Sequence, residues 1–433
     1  MGTALANIGM RRQSEIYRRG LDGRKLGIPV APHELERAAL ARLSGRARAY
    51  IAGGAGFERT MAANRAAFDR IGIIPRMLCD VSQRDLSLRL FGRTLPSPLL
   101  LGPIGVLDLV HPKGDLSVCR AAAAEGVPFV CSTQACVSME RLAEATPQAA
   151  RWFQLYWSKN LELTMSMVQR AERAGYEAIV VTVDTGELGW RPRDLEKGYL
   201  PFLRGRGIAN YLADPVFRSL LAKSEAGDSD WPPIGRLPAY LELLRHWPEG
   251  LGGALRNWAD VRRAIRRFVS VYGCPGLKWS DLQILRDKTK LPILIKGLLD
   301  PHDAHQAIGA GFDGIIVSNH GGRQVDGAIG ALDALPGVVD AADGRIPVLF
   351  DSGIRTGADI LKALCLGARA VLIGRPYVYG LALGGEDGVR DVIRNLTADF
   401  DLTMGLSGRR SIAELDRAML VASPVASGPP ALH

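Results

Sequence analysis

The stretch Ile315 to Asp326, IIVSNHGGRQVD, sets His320 and Arg323 on the loop that leaves a short β-branched run. Ile315, Ile316 and Val317 read as a buried strand, and the polar cluster begins where the apolar run stops. Gly321 and Gly322 let the backbone turn sharply and come close to a flat ligand. An imidazole can take a proton near neutral pH, and a guanidinium can grip a carboxylate through two parallel hydrogen bonds. Together they are the minimum equipment for chemistry at a carbon beside a carboxylate. Alone, they are equally compatible with a solvated turn, so the rest of the chain must decide.

After Pro98 a regular alternation sets in of short apolar strand, polar or glycine loop and amphipathic helix. Strands are expected at Leu99 to Leu101, Phe129 to Cys131, Trp152 to Tyr156, Ala178 to Val183, Ile293 to Ile295, Gly314 to Val317, Val348 to Phe350 and Ala370 to Ile373. Helices are expected at Asp115 to Glu125, Leu161 to Ala174, Asp303 to Ala310 and Gly357 to Leu366. Such an alternation, over residues 96–420, predicts an α/β fold of the (β/α)8 TIM barrel type. A doubly wound open sheet is the alternative, but it would advertise a GxGxxG turn after its first strand, and none is present.

Residues 1–95 read as an N-terminal helical extension packed on the barrel, with two short helices within Ala31 to Ile51 and a small hairpin at Leu86 to Leu95. Residues 185–278 break the rhythm: a long loop-4 insertion leaves the C-terminal end of the fourth strand and meets its next helix near Trp279. At that position it would lie over the barrel mouth as a lid, the alternatives being an oligomer contact or disorder. Residues 421–433, with Pro424, Pro429 and Pro430, read as a mobile tail.

If the barrel is right, every strand end delivers a polar or small residue to one mouth. The first four strands bring Pro103, Ile104 and Gly105, then Ser132 and Gln134, then Gln154 and Tyr156, then Thr182 and Asp184. The last four bring Lys296, then Ser318, His320 and Arg323, then Asp351, Ser352, Gly353 and Arg355, and finally Gly374 and Arg375. A barrel interior requires apolar strands and does not require these ends. The last two loops, with Gly353, Arg355, Gly374 and Arg375, suit a phosphate, and Asp351 is free to accept from a sugar-like hydroxyl.

Composition narrows the class. The 433 residues are 47% hydrophobic and 23% charged, as in a globular protein, and no apolar run is long enough for a membrane span. The start of the chain lacks the apolar block of a signal peptide, which predicts a cytoplasmic protein. The net charge of +9 is spread along the chain without a nucleic-acid-binding module, so it suits drawing in small anions. The six cysteines show no CxxC or zinc-like spacing, and no metal site is expected.

At this point the residues resemble a known family. Ser318 to Gln324, SNHGGRQ, is similar to the signature of the FMN-dependent α-hydroxy acid oxidases and dehydrogenases, and LPILIKG at Lys296, FQLYW at Tyr156 and TVDT at Asp184 supply its context. The resemblance covers about Tyr50 to Arg410. Within the family, GWRPRDL, PFLRG and DPVF between Trp190 and Phe217 look most like lactate 2-monooxygenase.

The resemblance implies FMN as cofactor, a short L-2-hydroxy acid as substrate, O2 or a quinone as acceptor, and a homotetramer or larger assembly. It implies His320 as catalytic base, with Asp184 stabilising its protonated form. It also implies Arg323 and Tyr50 on the substrate carboxylate, Tyr156 near the hydroxyl, and Arg191 as an auxiliary cation. Lys296 would lie by the flavin N1 and O2, and Pro103, Ile104, Gly105, Ser132, Gln154, Thr182 and Ser318 would hold the ring. Asp351, Gly353, Arg355, Gly374 and Arg375 would hold the ribityl phosphate.

Three departures from the pattern bear on the reaction. Gly105 stands where the oxidases commonly carry Ala, and it favours a dehydrogenase or monooxygenase. Gln134 stands where relatives often have a bulky residue over the substrate side chain. Ser352 replaces a usual Gly and is tolerable if its φ is negative. The expected reaction is that of L-lactate 2-monooxygenase, giving acetate, CO2 and water; the alternatives are an oxidase or dehydrogenase giving the 2-oxo acid and, more remotely, an FMN-dependent isomerase. His320 could remove the Cα proton or the hydroxyl proton, and both routes stay open.

Overall fold

The computed structural model describes residues 7–24, 26–222, 247, 250–256 and 258–423. Eight parallel strands close into a barrel: β1 (Leu99–Leu101), β2 (Phe129–Ser132), β3 (Arg151–Tyr156), β4 (Ala178–Thr182), β5 (Ile293–Leu298), β6 (Gly314–Val317), β7 (Val348–Phe350) and β8 (Ala370–Ile373). Closure is made where β8 pairs with β1, Val371 opposite Leu99. The expected TIM barrel is therefore the fold, and the predicted strands coincide with the observed ones to within a few residues.

The strand period of two divides the core into two faces. Leu100, Val130, Trp152, Ala178, Val180, Leu294, Ile316, Leu349, Ala370 and Leu372 form one buried cluster inside the barrel. Leu101, Phe129, Phe153, Ile179, Ile295, Ile315, Phe350 and Ile373 belong to the other, against the surrounding helices. One step further along each inward row stand Gly102, Ser132, Gln154, Thr182, Lys296, Ser318, Asp351 and Gly374. The same alternation that builds the apolar core thus changes to polar and small residues at its C-terminal end.

The predicted hairpin pairs Leu88–Leu90 with Arg93–Leu95. Leu88, Leu90 and Leu95 join the interior cluster, and Phe91 packs edge-on against Trp152 at 5.6 Å, so the hairpin closes the N-terminal end of the barrel. The N-terminal region forms helices Ile8–Leu21, Pro32–Arg42, Gly45–Ala52 and Arg59–Asp69. Ser44 caps the third of these by accepting from Ala47 N, and that helix brings Tyr50 to the barrel mouth. Among the described residues, no helix is long and apolar enough to cross a membrane.

The insertion carries more helix than the sequence suggests. Pro192–Glu196, Ala209–Leu212, Pro215–Ala222 and Trp258–Val271 all precede the helix Trp279–Gln283, which had been expected to come first. Ala264, Ile265, Phe268 and Val271 are buried along Trp258–Val271, a helical period that its run of arginines obscures. Two buried polar anchors tie the insertion to the barrel. Asn210 Nδ2 donates to the Ser132 and Thr133 carbonyls, both at 3.2 Å, and Asp214 pairs with Arg170 at 2.9 Å. Residues 223–246 of the insertion lie outside the described residues.

At the other end, Leu420–Ala422 pairs antiparallel with Ile71–Ile73. Val421 and Ala422 are therefore ordered sheet and not part of a mobile tail, because Ile71–Ile73 presents them with an open edge. Residues 424–433 lie outside the described residues.

Candidate active site

The loop after β6 is held in an unusual backbone path. His320, Gly321 and Gly322 have φ of 57°, 64° and 75°, three successive left-handed residues, and for His320 this costs roughly 1 kcal/mol. Side chains hold the path. His320 N donates to Ser318 Oγ (3.0 Å), Gly321 N to Ser352 Oγ (3.1 Å) and Gly322 N to Asn319 Oδ1 (3.1 Å). Asn319 is itself locked in a reciprocal amide pair with Asn64, at 2.7 and 2.8 Å. Asn64 lies on the N-terminal helix Arg59–Asp69, so that helix supports the loop after β6 directly.

His320 Nδ1 lies 2.9 Å from Asp184 Oδ1, and Thr185 Oγ1 donates to the same oxygen at 2.8 Å. That contact leaves Nε2 for the cavity that His320 lines. Asp184 comes this close because Gly297, in the irregular register of β5, lacks a Cβ that would sit 2.7 Å from Asp184 Cβ. Burial alone would raise the Asp184 pKa, but His320 and Lys296 bring it down to about 2, so the carboxylate is ionised. Burial pulls the His320 pKa below the ordinary histidine value, an effect that Asp184 only partly offsets. The resting imidazole is neutral at pH 7.

Lys296 is 3% exposed, 3.0 Å from Asp351 Oδ2 and 2.8 Å from Ser318 Oγ. Burial disfavours its charge, but Asp351 and Asp184 more than compensate, and it remains an ammonium. Arg323 donates through one nitrogen to the Tyr50 and Gly53 carbonyls, at 2.6 and 2.8 Å, and its guanidinium lies 5.0 Å from the Tyr50 ring centroid. Arg191 donates to Arg323 O (3.0 Å) and Gln324 Oε1 (2.9 Å). Burial, with Arg191 and Arg375 nearby, lowers the Arg323 pKa to about 9. Among the described residues no carboxylate is hydrogen-bonded to Arg191 or Arg323. Two part-buried cations with no carboxylate bonded to them, and Asp194 only within electrostatic range, are chemically suited to a carboxylate.

A cavity of about 1080 Å³, open to solvent on one side, runs between these groups and the loops after β7 and β8. Of the residues singled out from sequence, Tyr50, Pro103, Ile104, Gly105, Ser132, Tyr156, Arg191, Lys296, His320, Arg323, Asp351, Gly353, Arg355, Gly374 and Arg375 line it. Asp184 stands behind His320, and Ser318 beside Lys296. Gln154 and Thr182 sit at the ends of the inward rows, where Gln154 Nε2 and Thr182 Oγ1 are buried without a hydrogen-bond partner. Ser132 Oγ donates to Gln154 Oε1 at 3.0 Å and so fixes the amide.

Arg355 and Arg375 differ. Arg375 spends its donors on the Ile51, Gly321 and Gly53 carbonyls, at 3.0, 3.0 and 3.1 Å, whereas among the described residues the Arg355 guanidinium makes one hydrogen bond, to Ile354 O at 2.9 Å.

Several lining or supporting residues were not singled out in the sequence. Phe202 and Tyr272 come from the insertion, and Tyr272 packs edge-on to Tyr156 at 6.0 Å. Gln324 Nε2 donates to the Asp184 and Glu187 carbonyls, both at 2.8 Å, and joins the loops after β4 and β6. Its place beside Arg323 in the signature was the available signal. Phe202 and Tyr272 had none, since only folding of the insertion brings them to the mouth.

Ser352 contradicts the expectation of a negative φ, for its φ is 83°. Its hydroxyl offsets the strain by donating to Asp351 Oδ1 (2.7 Å) and accepting from Gly321 N (3.1 Å). Ser352→Ala keeps the strained backbone and loses these bonds together with a longer one from Asn319 N (3.4 Å), and should lower stability by about 1–2 kcal/mol. Ser352→Gly, which relieves the strain, should lose less. Chemical denaturation of both variants checks that order, and equal or reversed losses would refute this account of the hydroxyl.

A family model described as FMN-dependent dehydrogenase matches residues 39–422. The chain belongs to this family. FMN is accordingly its cofactor, and the enzyme is an FMN-dependent oxidoreductase. An L-lactate oxidase of Lysinibacillus sphaericus (strain C3-41) is 44% identical over 394 residues, 91% of this chain and 93% of that one. An FMN-dependent alpha-hydroxy acid dehydrogenase of Penicillium citrinum is 42% identical over 406 residues, 94% of each chain. The crystal structure of a mandelate oxidase with (S)-4-hydroxymandelic acid superposes with a TM-score of 0.74 at 36% identity, covering 91% of this chain and 98% of that one. These relatives are oxidases and a dehydrogenase; the finer likeness to lactate 2-monooxygenase expected from Trp190 to Phe217 is not carried by them.

The cavity's donor set fits FMN. Gln154 Nε2, Thr182 Oγ1 and the Lys296 ammonium offer a polar ring edge its partners at one end. Gly353, Gly374 and the largely uncommitted Arg355 offer a phosphate its donors at the other.

Proposed function

We propose that the chain oxidises a short L-2-hydroxy acid to its 2-oxo acid and passes the electrons to O2, releasing hydrogen peroxide. The observation that carries this reading is His320: its Nδ1 rests on an ionised Asp184, and its ring faces a cavity that also holds two arginines with no carboxylate hydrogen-bonded to them among the described residues. Arg323 and Arg191 take the substrate carboxylate and fix its orientation, and the neutral phenols of Tyr50 and Tyr156 donate at the same end. His320 Nε2 accepts the proton, and Asp184 stabilises the imidazolium that forms. FMN supplies the two-electron acceptor chemistry when bound. Lys296, Gln154, Thr182, Ser132 and Ser318, with backbone at Pro103, Ile104 and Gly105, hold its ring. Asp351 accepts from a ribityl hydroxyl, and Gly353, Gly374 and Arg355 hold the phosphate, with Arg375 bracing the surrounding carbonyls. The lactate oxidase and alpha-hydroxy acid dehydrogenase among the relatives support the 2-oxo acid over the monooxygenase products.

One observation favours a second reading, that of L-lactate 2-monooxygenase. Phe202 and Tyr272 from the insertion cover the substrate end of the cavity, as retention of pyruvate would require. Product analysis after aerobic turnover with L-lactate separates the two. Pyruvate with hydrogen peroxide is expected; acetate with CO2 would replace the oxidase by the monooxygenase. Flavin absorbance unchanged by L-lactate and other short 2-hydroxy acids under anaerobic conditions would overturn both.

A further inference from the structure

A serine stands at a position whose backbone suits glycine. The φ of 83° at Ser352 costs a residue with a side chain roughly 1–2 kcal/mol, and glycine would adopt it freely. Strain of this kind at a cavity wall points to a use for the side chain. Ser352 Oγ accepts from Gly321 N (3.1 Å) and Asn319 N (3.4 Å), so its own proton goes to Asp351 Oδ1, 2.7 Å away. The other oxygen of that carboxylate, Oδ2, lies 3.0 Å from Lys296 Nζ. Lys296 in turn donates to Ser318 Oγ at 2.8 Å, the oxygen that also accepts from His320 N. One chain of bonds therefore runs from the backbone of the loop after β6, through Ser352 and Asp351, to the ammonium on β5.

Lys296 is buried and Asp351 half-buried, so the field between them is screened less than it would be at the surface. The Ser352 hydroxyl proton rests on Asp351 and offsets part of its charge. Asp351 then neutralises Lys296 less than a bare carboxylate would. The hydroxyl also fixes the rotation of the carboxylate, since each oxygen has a partner of its own. Asp184 is the other carboxylate that acts on Lys296, and it is already bonded to His320 and Thr185. Asp351 is thus the carboxylate whose hold on the ammonium a neighbouring hydroxyl sets.

We infer that Ser352 is a positioning residue for the cofactor: by donating to Asp351 it sets how much of the Lys296 charge reaches the flavin ring, and so raises the reduction potential of bound FMN. The inference rests on the placement of Lys296 at the ring edge proposed above. Reduction adds negative charge to the ring, and an ammonium favours it in proportion to the charge left uncompensated. Loss of the hydroxyl strengthens the pairing of Asp351 with Lys296 and lowers the potential.

Redox titration of the FMN-loaded enzyme against reference dyes measures the effect. Ser352→Ala and Ser352→Gly should each lower the potential by about 30 mV, a tenfold loss in the two-electron equilibrium constant. The two shifts should agree although the variants differ in backbone strain, because both lack the hydroxyl. Ser352→Gly decides the matter should the alanine variant fold poorly. An unchanged or raised potential in Ser352→Gly overturns the inference, and a shift in the alanine variant alone would assign the effect to the strained backbone. Lys296→Met tests the parent placement separately. A lowered potential in that variant, or loss of its FMN, supports the lysine at the cofactor, so that an unmoved Ser352 variant would then sink only the role of Ser352. A potential unmoved in all three variants would sink the placement of Lys296 as well.

Discussion

His320→Gln is expected to keep FMN bound while slowing its reduction by L-lactate about 10³-fold, a typical loss when a positioned base is removed. Glutamine can still donate an amide N–H toward Asp184, and the backbone bond from residue 320 to Ser318 Oγ does not depend on the side chain. What it cannot do is accept a proton. Anaerobic mixing with substrate, followed by flavin absorbance, measures the effect directly. Near-normal bleaching would remove His320 from the base role.

The wild-type pH profile should carry the same signature. Burial depresses the His320 pKa, so the neutral base persists below the ordinary histidine range. The sign follows: kcat/KM is full above that depressed pKa and falls as the pH drops through it. His320→Gln should lack this acid limb. An acid limb of wild-type form in the variant would assign the titration to another group.

Arg323→Lys is expected to lower kcat/KM by about 10²-fold, ~2.7 kcal/mol, chiefly through KM. One guanidinium nitrogen is already committed to the Tyr50 and Gly53 carbonyls, which leaves the rest of the planar fork aimed at the cavity. A lysine cannot both hold those carbonyls and grip a carboxylate in two places. It also starts roughly two pKa units lower than arginine. In a pocket where burial and neighbouring arginines bring even Arg323 down to about 9, an ammonium would lose its proton within the assay range. The KM of the variant should therefore begin to rise at a lower pH than that of the wild type. Unchanged KM and kcat would refute the carboxylate clamp.

The sequence pattern carried the barrel a long way. Each strand is a short β-branched or leucine-rich run, and the residue two places past its last inward apolar position is polar or glycine. Periodicity of that kind is local, so the sequence alone places Ser132, Gln154, Thr182, Lys296, Ser318 and Asp351 at one mouth. His320 and Arg323 were legible for the same reason, since both lie on a loop whose strand announces itself.

Non-local contacts were not legible. The reciprocal pairing of Asn64 with Asn319 joins residues far apart in the chain, and neither has a periodic or motif signal that names the other. Tyr272 and Phe202 reach the cavity only because the insertion folds back onto the end of β2 and the helix Leu161–Arg173, anchored by Asn210 and Asp214. The φ of Ser352 is set by a tertiary hydrogen bond to Gly321 N, and serine's own preference points the other way.

The amino-acid sequence by itself determined the barrel, the mouth at which its polar residues gather, and the placing of an imidazole and a guanidinium on the loop after β6, because all three follow from local period and residue chemistry. Only the tertiary structure decided which arginine keeps its donors for an anion, how Asp184 comes within reach of His320 past Gly297, and how Ser352 ties Asp351 to the loop after β6. Each of these depends on distances between segments remote in sequence, where a tenth of a nanometre separates a hydrogen bond from none.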